Sequence, residues 1–322
     1  MRKKGISVII CCFNSSNRIQ EVIEFLSKQI QIIDIPLEIV IVDNASGDNT
    51  SKVVEELIGQ YNYLEINLVF EKKPGLMHAR EKGVNESNYE YLLFCDDDNF
   101  LSNNYISSVY KIMYNNPDVG VCGGMGIELI RDIEEPHWFN NYKHSYAIGS
   151  QIKEKQLTLY GAGMCIRFSA MQKIFNSGFV SYLTGRKGNV LLAGDDGELV
   201  LAIYIAGYKI IASDDFYFYH LLPKTRLNEI YLRKMYIGFG MMFPIIKIYR
   251  LFVENKKTYS YLTYLFFFTI SIFKSFFSAL NKKGLDRKVY LALTYGKLKG
   301  AIIFQKDIQK VANTIKEIDL NK

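Results

Sequence analysis

The chain reads as an α/β protein: a mostly parallel central sheet flanked by helices, followed by a helical C-terminal extension. Three observations predict this. Apolar runs of strand length and β-branched character recur near 6–12, 38–43, 65–70 and 90–95. Between and after them, segments near 17–30, 49–60, 75–86 and 102–115 carry apolar residues at helical spacing. Such alternation implies parallel strands joined by right-handed crossovers.

The first run, Ile6 to Cys12, leads into the polar loop Phe13-Asn14-Ser15-Ser16-Asn17 and then a helix with Ile19, Val22, Ile23 and Leu26 on one face. The loop lacks a G-x-G-x-x-G fingerprint, which argues against NAD or FAD. Phe13 and Asn14 are suited to stacking on a base and hydrogen-bonding it. The second run ends in Asp43, followed by Asn44, Ser46, Gly47 and Asp48, which are turn and helix-cap residues. Ligands of open α/β sheets bind outside the carboxyl ends of the strands. Asp43 there either accepts hydrogen bonds from a ribose or a base edge, or caps the next helix. Gly75, after Pro74, opens the third helix, and a helix N-terminus favours phosphate or base-edge contacts. Arg80 on that helix either reaches a diphosphate or makes a surface ion pair.

The fourth run ends abruptly in Asp96-Asp97-Asp98-Asn99. A strand that delivers clustered acids to its C-terminal end suits a hard divalent cation, and Mg²⁺ is commonly shared between carboxylates and a substrate's phosphates. A polar turn is the alternative. Further strands are expected at 119–130 and 160–168, with glycines 120, 123, 124 and 126 marking bends or close backbone approach. Between them, 134–156 reads as a polar, flexible loop holding Trp138, which either stacks on a sugar or packs in the core. Gly194-Asp195-Asp196-Gly197-Glu198 opens another helix, where acids suit the dipole or serve as a general base. His220 ends an aromatic run at 216–219, where a lone His is more often a packed structural residue.

With 322 residues and 49% hydrophobic content, the chain is long enough for a catalytic domain and a smaller appendage. Its five cysteines are odd in number and show no Cys-x-x-Cys spacing, so reduced core thiols are expected rather than disulfides or zinc ligands. The basic start at Arg2-Lys3-Lys4 flows into the first strand and is not read as a signal peptide. A formal charge of +6 is modest, and no motif accompanies it that would mark a nucleic-acid binder. Basic residues thicken towards the C-terminus around an apolar stretch at 259–280. That stretch has the length of a membrane span but holds Lys274. Ser271, Lys274, Ser275 and Ser278 share one helical face opposite the Phe and Leu side chains, which predicts an amphipathic helix lying in the membrane interface.

In order, SVIICCFN at 7–14, VDNASGD at 42–48, KPGLMHARE at 73–81, FCDDDN at 94–99 and GDDGEL at 194–199 resemble the family-2 glycosyltransferases of the GT-A fold. The resemblance implies a nucleotide-sugar transferase domain over 1–225 and a helical, apolar and basic extension over 226–322. It implies inverting transfer from a nucleoside-diphosphate sugar, a UDP-sugar first among the candidates, assisted by Mn²⁺ or Mg²⁺. The acceptor would be a glycan hydroxyl beside Trp138, in surface-polysaccharide assembly; the apolar and basic C-terminal region makes it a lipid-linked one at the inner face of the cell membrane. By resemblance Asp98 ligates the metal, Asp96 contacts the ribose or the metal through water, and His220 completes that site. Phe13, Asn14, Asp43, Asn44, Ser46, Asp48, Gly75, Arg80, Asp96 and Asp97 line the nucleotide pocket. Asp196 takes the place of the general base, and Asp195 departs from the Glu often found before it. The alternative is a nucleotidyltransferase on a similar core, although no Gly-rich loop follows strand one.

Overall fold

The structure is a computed structural model that describes residues 2–30, 34–131, 133–187 and 190–322. The chain divides into two compact units, one of residues 1–172 and 208–223, the other of 173–207 and 224–322. Helix α6 (Asp195–Ile205) and its acidic motif therefore group with the C-terminal helices.

The first unit is built on an eight-stranded sheet ordered β3-β2-β1-β4-β7-β6-β10-β5. These strands are β1 (Lys3–Cys12), β2 (Leu37–Asp43), β3 (Ile66–Phe70), β4 (Tyr89–Asp96), β5 (Asn99–Leu101), β6 (Val119–Leu129), β7 (Cys165–Arg167) and β10 (Lys209–Leu221). Strands β3, β2, β1 and β4 are mutually parallel, and β6 runs parallel to β10. Only β7 and β5 pair antiparallel with their neighbours. Helices α1 (Ile19–Ile30), α2 (Thr50–Gln60), α3 (Leu76–Glu86) and α4 (Tyr105–Asn115) are the crossovers. Their apolar stripes seal the core: Ile19, Val22, Ile23 and Leu26 of α1 join Val8, Ile10, Ile39 and Ile41 of the sheet, all fully or nearly fully buried. Strands buried on both faces read as continuous apolar runs, which is why the sequence shows them clearly.

Two segments depart from expectation. Strand β7 covers only three residues of 160–168, because Gly163 turns the chain with φ +68 and Met164 N–H donates back to the Gly161 carbonyl. The segment 134–156 holds a packed stretch, 138–151, between exposed ends. Short 3-10 turns at Phe139–Asn141 and Lys143–Tyr146 bury Phe139, Tyr142 and Tyr146 together with Trp138. Aromatic residues three and four apart give those turns an apolar face of their own. Gly126 receives this segment closely: a Cβ there would stand 1.9 Å from the Ala147 carbonyl oxygen.

The second unit carries the end of α5 (Phe168–Asn176), the ribbon β8 (Arg186–Lys187) and β9 (Val190–Leu191), and α6 (Asp195–Ile205). Its remainder is α7 (Glu229–Asn255), α8 (Tyr261–Leu280), α9 (Gly284–Ile303) and α10 (Ile308–Leu320). Helices α7 and α9 cross at glycines, since a Cβ on Gly296 would lie 2.2 Å from the Ile237 carbonyl oxygen.

Candidate active site

The parallel strands bring their acids to one edge of the sheet. Cys12 of β1 is level with Asp43 of β2, and Cys11 is level with Asp96 of β4. The loops leaving these strands form one hydrogen-bonded rim. Phe13 is 57% exposed there. Asn14 adopts a left-handed backbone (φ 51), which Asn tolerates better than most residues. Its Oδ1 accepts from Gly47 N–H at 2.8 Å, and its own N–H donates to Ser46 Oγ at 3.0 Å.

The buried Asp43 carboxylate accepts from Ser46 N–H at 3.0 Å and from the Ser51 hydroxyl on α2. It therefore serves the turn and the helix start, whatever else it contacts. Asn44 is equally committed. Its Nδ2 donates to the Glu71 and Lys73 carbonyls at 3.1 and 2.8 Å, and its Oδ1 accepts from Gly75 N–H at 2.8 Å. Gly75 precedes α3 with φ +134, a conformation open essentially to glycine. Arg80 lies over the Phe94 ring, 5.4 Å from its centroid. Asp48 is exposed; burial works against its charge, but hydrogen bonds from Thr50 and Ser16 outweigh it and hold the carboxyl down at about 2.

The acidic triplet divides into separate tasks. Asp97 turns back to α1, where Arg18 Nη2 donates to its Oδ2 at 2.6 Å and the Ser15 hydroxyl donates to the same oxygen. Asp98 is 5% exposed. His220 reaches it through strand pairing, since Asn99 of β5 is directly opposite His220 of β10. His220 Nε2 stands 3.7 Å from Asp98 Oδ1, while Nδ1 lies 2.8 Å from the Tyr146 carbonyl oxygen. A carbonyl oxygen only accepts, so Nδ1 carries hydrogen and Nε2 is the nitrogen turned to Asp98. Asn99 ties the turn together: its Nδ2 donates to Asp98 Oδ1, and its Oδ1 accepts from Asp96 N–H.

Among the described residues, no three His, Cys, Asp or Glu side chains converge to hold a metal ion by themselves. Asp98 and His220 come together; Asp96 does not complete a three-donor set. All five cysteines are free. Burial pushes the Cys11 thiol up to about 12, with Arg80 opposing and Asp96 and Asp97 reinforcing, so it stays neutral between those charges.

Trp138 is 8% exposed and packs edge-on against Phe139 and Tyr142. The small stretch Gly161-Ala162-Gly163 borders Tyr105, whose hydroxyl donates to the Gly163 carbonyl at 2.7 Å.

In the second unit, Gly194 (φ +97) starts α6 and puts both acids in its first turn. Asp195 is buried beneath Gly185, and Asp196 is half-buried with its Oδ1 accepting from Gly197 N–H at 2.7 Å. Glu198 is wholly buried. Its Oε2 accepts from the Ser181 hydroxyl and from the N–H groups of Tyr182 and Leu183, at 2.8, 3.0 and 3.0 Å. Burial pushes this carboxyl up to about 7, against those hydrogen bonds. Sequence reasoning did not single out Arg18, Ser51, Asn99, Tyr146 or Glu198. Only Glu198 carried a signal, as a third acid one turn into an acidic helix start.

Known proteins resemble this chain along the same lines. The model for "Glycosyl transferase family 2" matches residues 7–175, just over half of the chain. A cholesterol galactosyltransferase of Borreliella burgdorferi is 23% identical over 308 residues, covering 91% of this chain and 81% of that protein. A poly-beta-1,6-N-acetyl-D-glucosamine synthase of Staphylococcus epidermidis is 26% identical over 121 residues, and the match spans only 28% of the synthase. Among solved structures, the mannosyltransferase PcManGT of Pyrobaculum calidifontis, in complex with GDP-Man and Mn2+, has a TM-score of 0.56 at 17% identity, covering 99% of this chain and 86% of that one. S. aureus TarS 1-349 in complex with UDP-GlcNAc has a TM-score of 0.52 at 15% identity, covering 98% and 90%. The sheet and its flanking helices are those of the GT-A fold, and the chain belongs to glycosyl transferase family 2, a glycosyltransferase rather than a nucleotidyltransferase.

Proposed function

We propose that this glycosyltransferase moves a sugar, with inversion, from a nucleoside-diphosphate sugar to a hydroxyl of a lipid-linked glycan acceptor. It would act at the inner face of the cell membrane, in surface-polysaccharide assembly. The observation that carries the reading is the shared carboxyl end of the sheet, where Asp43 and Asp96 end the parallel strands on either side of β1, Asp98 follows in the turn after β4, and β5–β10 pairing adds His220. Solved neighbours that bind UDP-GlcNAc and GDP-Man support a nucleotide-sugar donor, with a UDP-sugar as first choice. The polysaccharide setting draws on the poly-beta-1,6-N-acetyl-D-glucosamine synthase among the relatives. Residues 1–225 are assigned the transfer and 226–322 the membrane contact.

The donors present fit a hard divalent cation, Mn²⁺ or Mg²⁺. Asp98 is a buried carboxylate, and the Tyr146 carbonyl orients the His220 ring with Nε2 towards it, a backing typical of metal-ligating histidines. The 3.7 Å between them is shorter than two metal–ligand bonds of about 2.1 Å laid end to end. With only these two donors converging, a substrate diphosphate would supply further oxygens. Asp98 and His220 would hold the cation, and its chemistry there would be Lewis-acid neutralisation of the charge on the departing diphosphate.

The rim then does the binding. Phe13 stacks on the base, Asn14, Asp43, Asn44, Ser46, Asp48 and Gly75 shape the nucleoside pocket, Asp96 and Asp97 border it, and Arg80 adds positive charge. Asp196, with Asp195 beside it, takes the proton from the acceptor hydroxyl as that oxygen attacks the anomeric carbon opposite the leaving group. One such displacement inverts configuration. Trp138 lines the acceptor side.

Calorimetry of UDP, GDP and dTDP, with and without Mn²⁺, tests this on wild type and Asp98→Ala. Metal-dependent binding of one nucleotide, lost in the variant, is expected. Absence of binding to all three with metal present would refute the donor assignment.

A further inference from the structure

Helix α8 is built inside out. Its serines 271 and 275 face its own unit, where Lys297 of α9 donates to their hydroxyls at 3.0 and 2.5 Å. The same ammonium stands 4.6 Å from the centroid of the Phe243 ring on α7. Tyr264, Phe268 and Ala279 complete this buried side. The opposite side carries Leu262, Phe266, Phe273 and Phe277, which are 75, 62, 58 and 59% exposed. These positions follow the helical repeat and form one stripe. A helix resting on a protein in water turns its apolar stripe inward, as α7 does. The most apolar window of α7 is 61% buried, whereas that of α8 is 22% buried. Of the four polar residues expected to face water, only Lys274 and Ser278 are exposed.

Helix α9 packs on α8 and itself exposes Leu291, Leu298 and Ile302. The surrounding charge is mostly positive. Lys256, Lys257, Lys274, Lys283, Arg287 and Lys299 are exposed, and Asp286 is the only acid between 256 and 306. Exposed apolar side chains on both helices, together with these cations, complement an anionic bilayer surface, where each cation near the headgroups adds attraction.

We infer that the exposed face of α8 and α9 is a bilayer-docking surface that lies in the headgroup–acyl boundary of an anionic leaflet without crossing it. Crossing is disfavoured by the position of Lys297. It is pinned to the middle of α8, so a spanning α8 would carry that ammonium and Lys274 towards the hydrocarbon midplane, where charge is costly. The inference deepens the membrane part of the reading above and does not depend on the sugar chemistry.

The test is co-sedimentation of the full chain with vesicles of phosphatidylcholine alone and of phosphatidylcholine mixed with phosphatidylglycerol. Binding to the mixed vesicles, weakened by salt and released by alkaline carbonate, is expected. The triple variant Phe266→Ser, Phe273→Ser, Phe277→Ser alters only exposed side chains and should lower the partition coefficient at least about tenfold. Equal binding by the variant, or no binding by wild type to either vesicle, overturns the proposal. So does carbonate-resistant retention, which indicates a span, or a wild-type dimer that the variant makes monomeric, which indicates a second copy as the occupant. Nucleotide calorimetry on the same samples keeps the two readings apart: vesicle binding without nucleotide binding sinks the donor assignment alone.

Discussion

Arg18 and Asp97 form an ion pair at 2.6 Å, with side chains 29 and 14% exposed, across the mouth of the first strand–helix loop. The pair resolves a conflict created by the acidic triplet. Burial first, and the neighbouring Asp98 second, push the Asp97 carboxyl up, and Arg18 pulls it back. Removing the cation leaves a buried carboxylate beside another. Arg18→Met should therefore cost about 1–3 kcal/mol, below the range for a fully buried pair because Arg18 is partly solvated. Adding Asp97→Asn should return most of that loss. Urea unfolding of the two variants decides it; a double variant no more stable than Arg18→Met would show that the pair is not the source.

Asp43 holds the turn before α2 and, in the proposed function, has a second, separable task at the nucleotide. Its hydrogen bonds to Ser46 and Ser51 fix the turn before α2, which is a cost of stability when lost. Ser51→Ala should lower stability by about 1 kcal/mol and leave nucleotide affinity unchanged. Asp43→Ala should do the same to stability and also weaken UDP binding at least about tenfold, the value of one hydrogen bond to a charged group. Equal UDP affinity in wild type and Asp43→Ala would confine Asp43 to the turn.

What was legible in the chain follows from range. The strands and the α1 stripe were legible because local periodicity reports burial directly, and Asp43, Asp96 and Asp98 because strand ends announce themselves. The Asp98–His220 approach spans 122 positions and depends on a three-residue strand, β5, too short to leave a periodic signal. The resemblance, not the spacing, named His220. Packing of Trp138 and the inward turn of Ser271 and Ser275 depend on which neighbour covers a face, and sequence periodicity gives a face without its partner.

Glu198 ties the 181–183 loop to α6, and its raised proton affinity makes stability depend on pH. With a folded value of about 7 against an ordinary 4.5, the native state holds a proton that the unfolded state has released. This group's contribution is therefore best below about 4.5, falls as pH rises to about 7, and is flat above. The loss across that window is about 3 kcal/mol. Glu198→Gln keeps an acceptor for the three donors and cannot ionise. The stability difference between wild type and this variant, followed by urea midpoint from pH 4.5 to 8, should drift in favour of Gln as pH rises. A difference independent of pH would show that Glu198 is ionised throughout.

Glycine substitutions separate propensity from packing. In an open helical site, Gly→Ala stabilises by about 0.5–1 kcal/mol, because the unfolded chain loses freedom. Gly59 of α2 has nothing within 4 Å of an added Cβ, so Gly59→Ala should raise the melting temperature. Gly296 and Gly300 of α9 are four apart on the face that meets α7, where a Cβ would lie 2.2 Å from the Ile237 carbonyl oxygen and 2.3 Å from that of Met241. Backbone cannot yield as a side-chain tip does, so the helices must separate. Gly296→Ala should lose the propensity gain and destabilise by about 1–3 kcal/mol, the usual range for overpacking. Thermal unfolding of the two alanine variants side by side tests the crossing. A Gly296→Ala protein as stable as Gly59→Ala would mean that α7 and α9 do not touch through their backbones.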